Sequence, residues 1–199
     1  MKEDVLEQVV DDYFMFKGYF TRHNMRFKPS SSHGDFIKNA DVVPSDIDVV
    51  AIHPCYSGIE RVVVVSCKSW QRGFDPAAKI DEITNNKFRS GREAWKGFRE
   101  LCQPKWSESF LDEIEKATGT RQFVYYTAVT LLLNKDSRVK WEENNQFSNA
   151  IGGNPIRIIT LEEMLNELWD NLKTTPAASE IGRAIQLMKA ARWYPPVKN

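Results

Sequence analysis

The nine residues VVVVSCKSW, Val62 to Trp70, constrain this chain most. Four consecutive β-branched side chains are stiff in a helix and pack well on a pleated surface, so the run predicts a buried strand. The strand spans Arg61 to Lys68 and delivers a lysine to its end, with Ser66 two residues earlier on the same face. Such a lysine either works there or follows its own apolar stem out to water. Which of these holds depends on where the acids lie.

Periodicity places the other elements. Leu6, Val9, Val10, Tyr13 and Phe14 recur at helical spacing, predicting an amphipathic helix over residues 3–17 with Gly18 as its natural end. YFTRHNMRF reads as a first strand, with Tyr19, Thr21 and His23 on one side and Phe20, Arg22 and Asn24 on the other. KPSSSHGD is a loop by composition. DIDVVAIHP is a second strand stopped by Pro54, and the turn CYSGIE leads into the lysine strand as an antiparallel hairpin. Asp75 and Pro76 open a helical stretch running to Leu101, with a break at Ser90-Gly91. A short helix over Glu108–Ala117 ends at Gly119. QFVYYTAVTLLL is a long fourth strand and PIRIIT a fifth. Thr160 caps LEEMLNELWDNL, and Glu163 completes a capping box. A last helix over Ala178–Arg192 stops at Pro195-Pro196. The order α-β-β-β-α-β, then β-α-α, predicts an α/β fold: a mixed sheet of about five strands flanked by helices. Residues 1–175 form one domain, and residues 176–199, beyond Pro176, add a helix and tail packed on it.

Composition removes several classes of function. Net charge is zero, so a site for a polyanion has to be a local patch. The three cysteines are isolated, which speaks against a zinc site or disulfide framework and for a reducing cytoplasm. MKEDVLEQVV lacks a signal-like apolar core, and no stretch reaches the roughly 18 apolar residues of a membrane span. The expectation is a cytoplasmic, soluble protein without a membrane partner. His23, His33 and His53 lack zinc-type spacing, and Gly152-Gly153 is not followed by the GK[ST] of a phosphate loop.

Asp46 and Asp48 lie two apart at the start of the second strand and so share a face; hairpin pairing brings Asp48 near Lys68. An aspartate in an apolar strand is costly to bury unless a cation compensates it. A metal-binding Asp beside a Lys that orients water or neutralises a transition state suits phosphodiester hydrolysis.

PSDIDVVAIHP followed by RVVVVSCKSW resembles the core of the restriction-endonuclease-like nucleases, the PD-(D/E)xK superfamily, closest to its archaeal resolvase-like and methyl-directed restriction branch. The likeness covers about residues 3–133. It implies a metal-dependent DNA endonuclease of restriction, repair or defence type, using Mg²⁺ or Mn²⁺. Residue by residue, it implies that Asp48 binds the metal and that Lys68 is the catalytic lysine. Cys67 is the variable residue whose carbonyl completes the metal shell, and Glu7 a helix acid directed into the site. Ser66 departs from the pattern, because the family has Asp or Glu there. Either Glu7 or Asp46 supplies the missing charge, or the chain has kept the fold and lost cleavage, serving as a nucleic-acid-binding module or a structural subunit. The resemblance also makes a homodimer or a larger complex on DNA an expectation, since cutting both strands takes two sites.

Structural alternatives stand beside these roles. Asp46 reads equally as a turn aspartate, Glu7 as a solvated helix acid beside Asp4 and Asp11, and Ser66 as a small space-filling residue. Arg22, Arg26 and Lys28 cluster after the first strand; Gln71, Arg72, Lys87 and Arg89 follow the lysine, with Trp70, Phe88 and Trp95 nearby. These are the candidate nucleic-acid contacts, the alternative being solvated faces of mixed charge.

Overall fold

The computed structural model describes residues 4–89, 91–172 and 179–193. Five strands, β1 (Phe20–Phe27), β2 (Ser45–Ile52), β3 (Val62–Lys68), β6 (Val124–Val129) and β7 (Ile156–Thr160), stand side by side in chain order. The first three pair antiparallel, while β3–β6 and β6–β7 pair parallel, so the sheet is mixed. A small hairpin, β4 (Phe88–Arg89) with β5 (Arg92–Glu93), lies apart from it.

Helices cover both faces. One face carries α2 (Pro76–Thr84), α3 (Arg99–Cys102), α4 (Pro104–Thr118), α5 (Arg138–Glu142) and α6 (Asn145–Ala150). Its core joins Val62, Val64 and Tyr125 to Phe98, Trp106, Phe110 and Trp141. The other face carries α1 (Val5–Phe16), α7 (Leu161–Asn171) and α8 (Glu180–Ala190), packed on Val63, Val65 and Ala128. The valine run is uninterrupted because successive residues alternate between two buried faces. This is the α/β architecture with a five-stranded mixed sheet flanked by helices. Ile185 of α8 is buried in the same core as α1. Among the described residues no helix is long and apolar enough to cross a membrane.

Local chemistry accounts for several boundaries. Gly18 follows α1 with φ 90°, and a Cβ there would lie 2.9 Å from the His53 ring. Gly119 closes α4 with φ 75°. Thr160 and Glu163 form the reciprocal capping box of α7.

Three expected elements differ. The stretch from Asp75 is not helical to Leu101: α2 ends at Thr84, Asn86 takes φ 49°, and the chain turns into β4–β5 and a 3-10 turn before α3. Helical composition lost there to two consecutive asparagines, which tolerate left-handed backbone. The fourth strand is six residues long rather than twelve, because Leu132 leaves the sheet to bridge Phe74. Pro104 starts α4 before Glu108, at the helical position where a missing N–H is harmless. Ser90, Pro176, Ala178, Pro195 and Pro196 lie outside the described residues.

Asn154, buried at 3% exposure, ties the two parallel connections together. Its Oδ1 accepts from Phe123 N–H (3.1 Å), and its Nδ2 donates to the carbonyls of Arg121 (2.8 Å) and Ile151 (2.7 Å). Asn154→Ala strands these backbone groups and is expected to cost about 3 kcal/mol. At this chain length that is a fall of roughly 10 °C in melting temperature, measurable by calorimetry.

Candidate active site

The β2–β3 ladder runs from Ile52↔Val62 to Val49↔Val65 and stops. Beyond it a side chain replaces the backbone: the Cys67 N–H donates to Asp48 Oδ2 at 2.6 Å. Alternation along β3 then sorts the functional groups between faces. Cys67 packs with the α1 core, whereas Ser66 and Lys68 point to the α3–α4 side. Lys68 Nζ donates to Ser66 Oγ (2.7 Å) and lies 5.0 Å from the Phe98 ring centroid.

A second carboxyl group faces the same lysine. Glu100, on the four-residue helix α3, is buried at 6% exposure, and its Oε1 accepts from Tyr125 O–H at 2.5 Å. Ser66 lies close to the Tyr125 hydroxyl. Ser107 Oγ donates to the Glu100 carbonyl (2.7 Å), fixing α3 against α4.

Burial raises the pKa of Asp48 above the ordinary aspartate range; the Lys68 charge and the Cys67 N–H oppose this, and the charges of Asp46 and Asp4 add to it. Burial also raises Glu100, against the Lys68 charge and the Tyr125 bond. One ammonium thus serves two carboxyl groups, the buried Glu100 and the half-buried Asp48. A positive charge is in deficit there, as a site for a hard cation requires. Among the described residues no three His, Cys, Asp or Glu side chains are grouped to hold a metal ion. The donor set nonetheless fits Mg²⁺, which keeps several waters and takes one or two carboxylates from the protein. Asp48 and Glu100 would hold it.

The remaining expected residues fall in different places. Asp46 is exposed and paired with Arg26 (3.6 Å), so it reaches Asp48 only through its charge. The cause is a break in alternation at Asn24, which takes φ 51° on the neighbouring strand. Beyond it Ile47 joins the same core as Val50, although Val49 belongs to the other. Glu7 lies on α1, over the opposite face from Lys68; with burial and Asp48 it raises the Cys67 thiol well above its usual range. Asp4 caps α1 through Leu6 N–H (2.8 Å) and accepts from Ser69 Oγ, tying that helix to the residue after Lys68.

Among the basic residues, Arg22 and Lys28 are exposed at edge strand β1. Lys87 pairs with Asp81 (2.5 Å) and Arg89 with Glu82 (2.6 Å). Gln71, Arg72 and Arg89, with Ser69, line a cavity of about 700 Å³. Glu100 escaped the sequence reading. Its one signal is an acid set between Phe98 and Leu101-Cys102, a context shared by many surface helices.

No family model matches the chain, and no curated protein matches it. It is similar to the crystal structure of a protein of unknown function, AF1548, at 14% identity over 96% of this chain and 79% of that one, with a TM-score of 0.39. A likeness at that level carries no functional information.

The raised carboxyl groups have a consequence for stability. The folded state holds these protons more tightly than the unfolded chain does. The contribution is therefore present below the unfolded values, 3.8 for Asp and 4.5 for Glu, and is lost as pH rises through the folded ones. Asp48→Asn is expected to raise the melting temperature at alkaline pH and to flatten its decline as pH rises above the ordinary aspartate range. Thermal unfolding of both proteins across that range checks it.

Proposed function

We propose that this chain is a metal-dependent deoxyribonuclease with a restriction-endonuclease-like core, hydrolysing phosphodiesters at Asp48, Lys68 and Glu100. The observation that carries the reading is the single lysine shared by the buried Glu100 and the half-buried Asp48 at a strand end. The PSDIDVVAIHP and RVVVVSCKSW motifs support it from the sequence. Glu100 supplies, from α3, the acid that Ser66 lacks.

Mg²⁺ or Mn²⁺, when bound, would stabilise charge on the phosphate and lower the pKa of an attacking water. Asp48 would hold it, oriented by the Cys67 N–H, with Glu100 held in place by Tyr125. The Lys68 ammonium, steadied by Ser66, would face the phosphate and neutralise the negative charge that develops there. The Phe98 ring lies 5.0 Å from that ammonium. The second reading is a nuclease-fold module that binds nucleic acid without cutting, or a structural subunit. It is favoured by one observation: the Lys68 amine is hydrogen-bonded to a neutral serine rather than to an acid.

Cleavage of supercoiled plasmid, linear duplex and single-stranded DNA with Mg²⁺ or Mn²⁺ separates the two. Wild type is expected to nick in a metal-dependent way, and Lys68→Ala, Asp48→Ala and Glu100→Gln to lose roughly 100-fold or more. Equal inertness of wild type and all three variants would remove hydrolysis and leave the binding module. Full activity in Glu100→Gln would remove that residue and keep Asp48 with Lys68.

A further inference from the structure

Two neighbouring strands change face at the same point. In a regular strand, residues two apart lie on one side. On β1, however, His23 reaches Asp11 of α1 (2.9 Å), whereas Met25 and Phe27 enter the opposite core, with Phe27 against Trp106 and Phe110 of α4. On β2, Val49 packs in the core under α1 and Ile47 in the core under α4. The pairs His23↔Val49 and Met25↔Ile47 bracket the change, and Asn24 and Asp48 stand opposite each other between them. Asn24 has φ 51°, in the left-handed region.

The place suits such a kink. β1 is an edge strand, so a left-handed residue there interrupts one ladder instead of two. Asparagine enters this region more readily than most side chains, and for a β-branched residue it is a genuine outlier. The Asn24 side chain is exposed, so core packing does not select the conformation. The consequence falls on Asp48. The ladder to β1 passes over it, and the ladder to β3 ends one residue short of it at Val49↔Val65. Among the described residues Asp48 is the one member of β2 with no ladder partner on either side. Regular alternation would send its side chain to the face of Val50. Released from that pattern, the carboxylate turns to the neighbouring backbone and takes the Cys67 N–H of β3 at 2.6 Å.

We propose that Asn24 is a positioning residue for Asp48: its left-handed backbone breaks the β1–β2 ladder and sets the carboxylate on the Cys67 N–H, one residue before Lys68. Its bearing on hydrolysis rests on the nuclease reading above.

The test compares Asn24→Gly, which tolerates the left-handed backbone, with Asn24→Val, which opposes it. The readout is the Cys67 amide signal in proton–nitrogen NMR spectra, in EDTA, of each protein with and without Asp48→Asn. An N–H that donates to a carboxylate makes a shorter, stronger bond than one that donates to a neutral amide, so its signal moves on that substitution. The Cys67 signal is expected to move upfield on Asp48→Asn in the wild type and in Asn24→Gly, and to lose that response in Asn24→Val. With plasmid DNA and Mg²⁺, Asn24→Val should lower kcat about 100-fold with KM unchanged, and Asn24→Gly should restore it. Asn24→Ala, with the same backbone preference and a smaller side chain, takes the place of a valine variant that does not fold. A merely structural Asn24 would lower the melting temperature and leave the Cys67 response intact in Asn24→Val. That result, or loss of the response in Asn24→Gly, overturns the proposal. The amide response needs no cleavage, so the two readings fail separately. A response lost in Asn24→Val, in a chain that cuts no DNA, would keep the positioning role and remove the nuclease. Cutting at the wild-type rate by Asn24→Val, with the response intact, would do the reverse.

Discussion

The arrangement around Lys68 depends on one electrostatic constraint: a single ammonium faces two carboxyl groups inside an otherwise apolar sheet. Charges taken out of water are costly unless paired, and here the pairing is incomplete. The protein answers with neighbours of fixed geometry. Asp48 takes the Cys67 N–H where the strand ladder stops, and Glu100 takes the Tyr125 hydroxyl. What is left over appears as raised carboxyl pKa values, led in both cases by burial. A fold that carries such an imbalance gives up stability at a place where a cation could restore it.

The rest of the molecule positions that place. Parallel pairing of β3 with β6 puts Tyr125 on the face of Ser66 and Lys68, while α4 holds the short helix that presents Glu100. Lys105, also on α4, reaches back to Asp41 (2.7 Å) and to the Asp35 carbonyl (3.0 Å), pinning the long β1–β2 loop by a buried ion pair. That loop leads into β2 and hence to Asp48. On the other side the residues after Lys68, from Ser69 to Gly73, line a cavity of mixed charge.

Legibility from sequence followed the range of the interactions. The first helix, the valine strand and the Thr160 capping box are governed by neighbours within about four residues, and periodicity or a short motif exposes them. The segment after Asp75 misled because its residues favour a helix one by one, while Asn85-Asn86 and the packing of Trp70 on Phe74 and Phe98 turn the chain aside. Asp46 misled for a similar reason. Strict alternation assigns it to the face of Asp48, but a left-handed asparagine on the adjacent strand alters the pattern, and Arg26 holds it in solvent.

The sequence by itself determined that a buried β-branched strand ends in Lys68, that Asp48 enters its partner strand, and that Ser66 shares the face of that lysine. These follow from side-chain shape and from the period of two, which are properties of neighbouring residues. Only the tertiary structure decided which acids face that lysine. Glu100 lies 34 positions after Ser66, and nothing in its local context distinguishes it. It becomes a partner of Lys68 because α3 is clamped to α4 and Tyr125 arrives on the neighbouring parallel strand. Burial and charge are sums over everything within a few ångströms, and folding alone decides what is there.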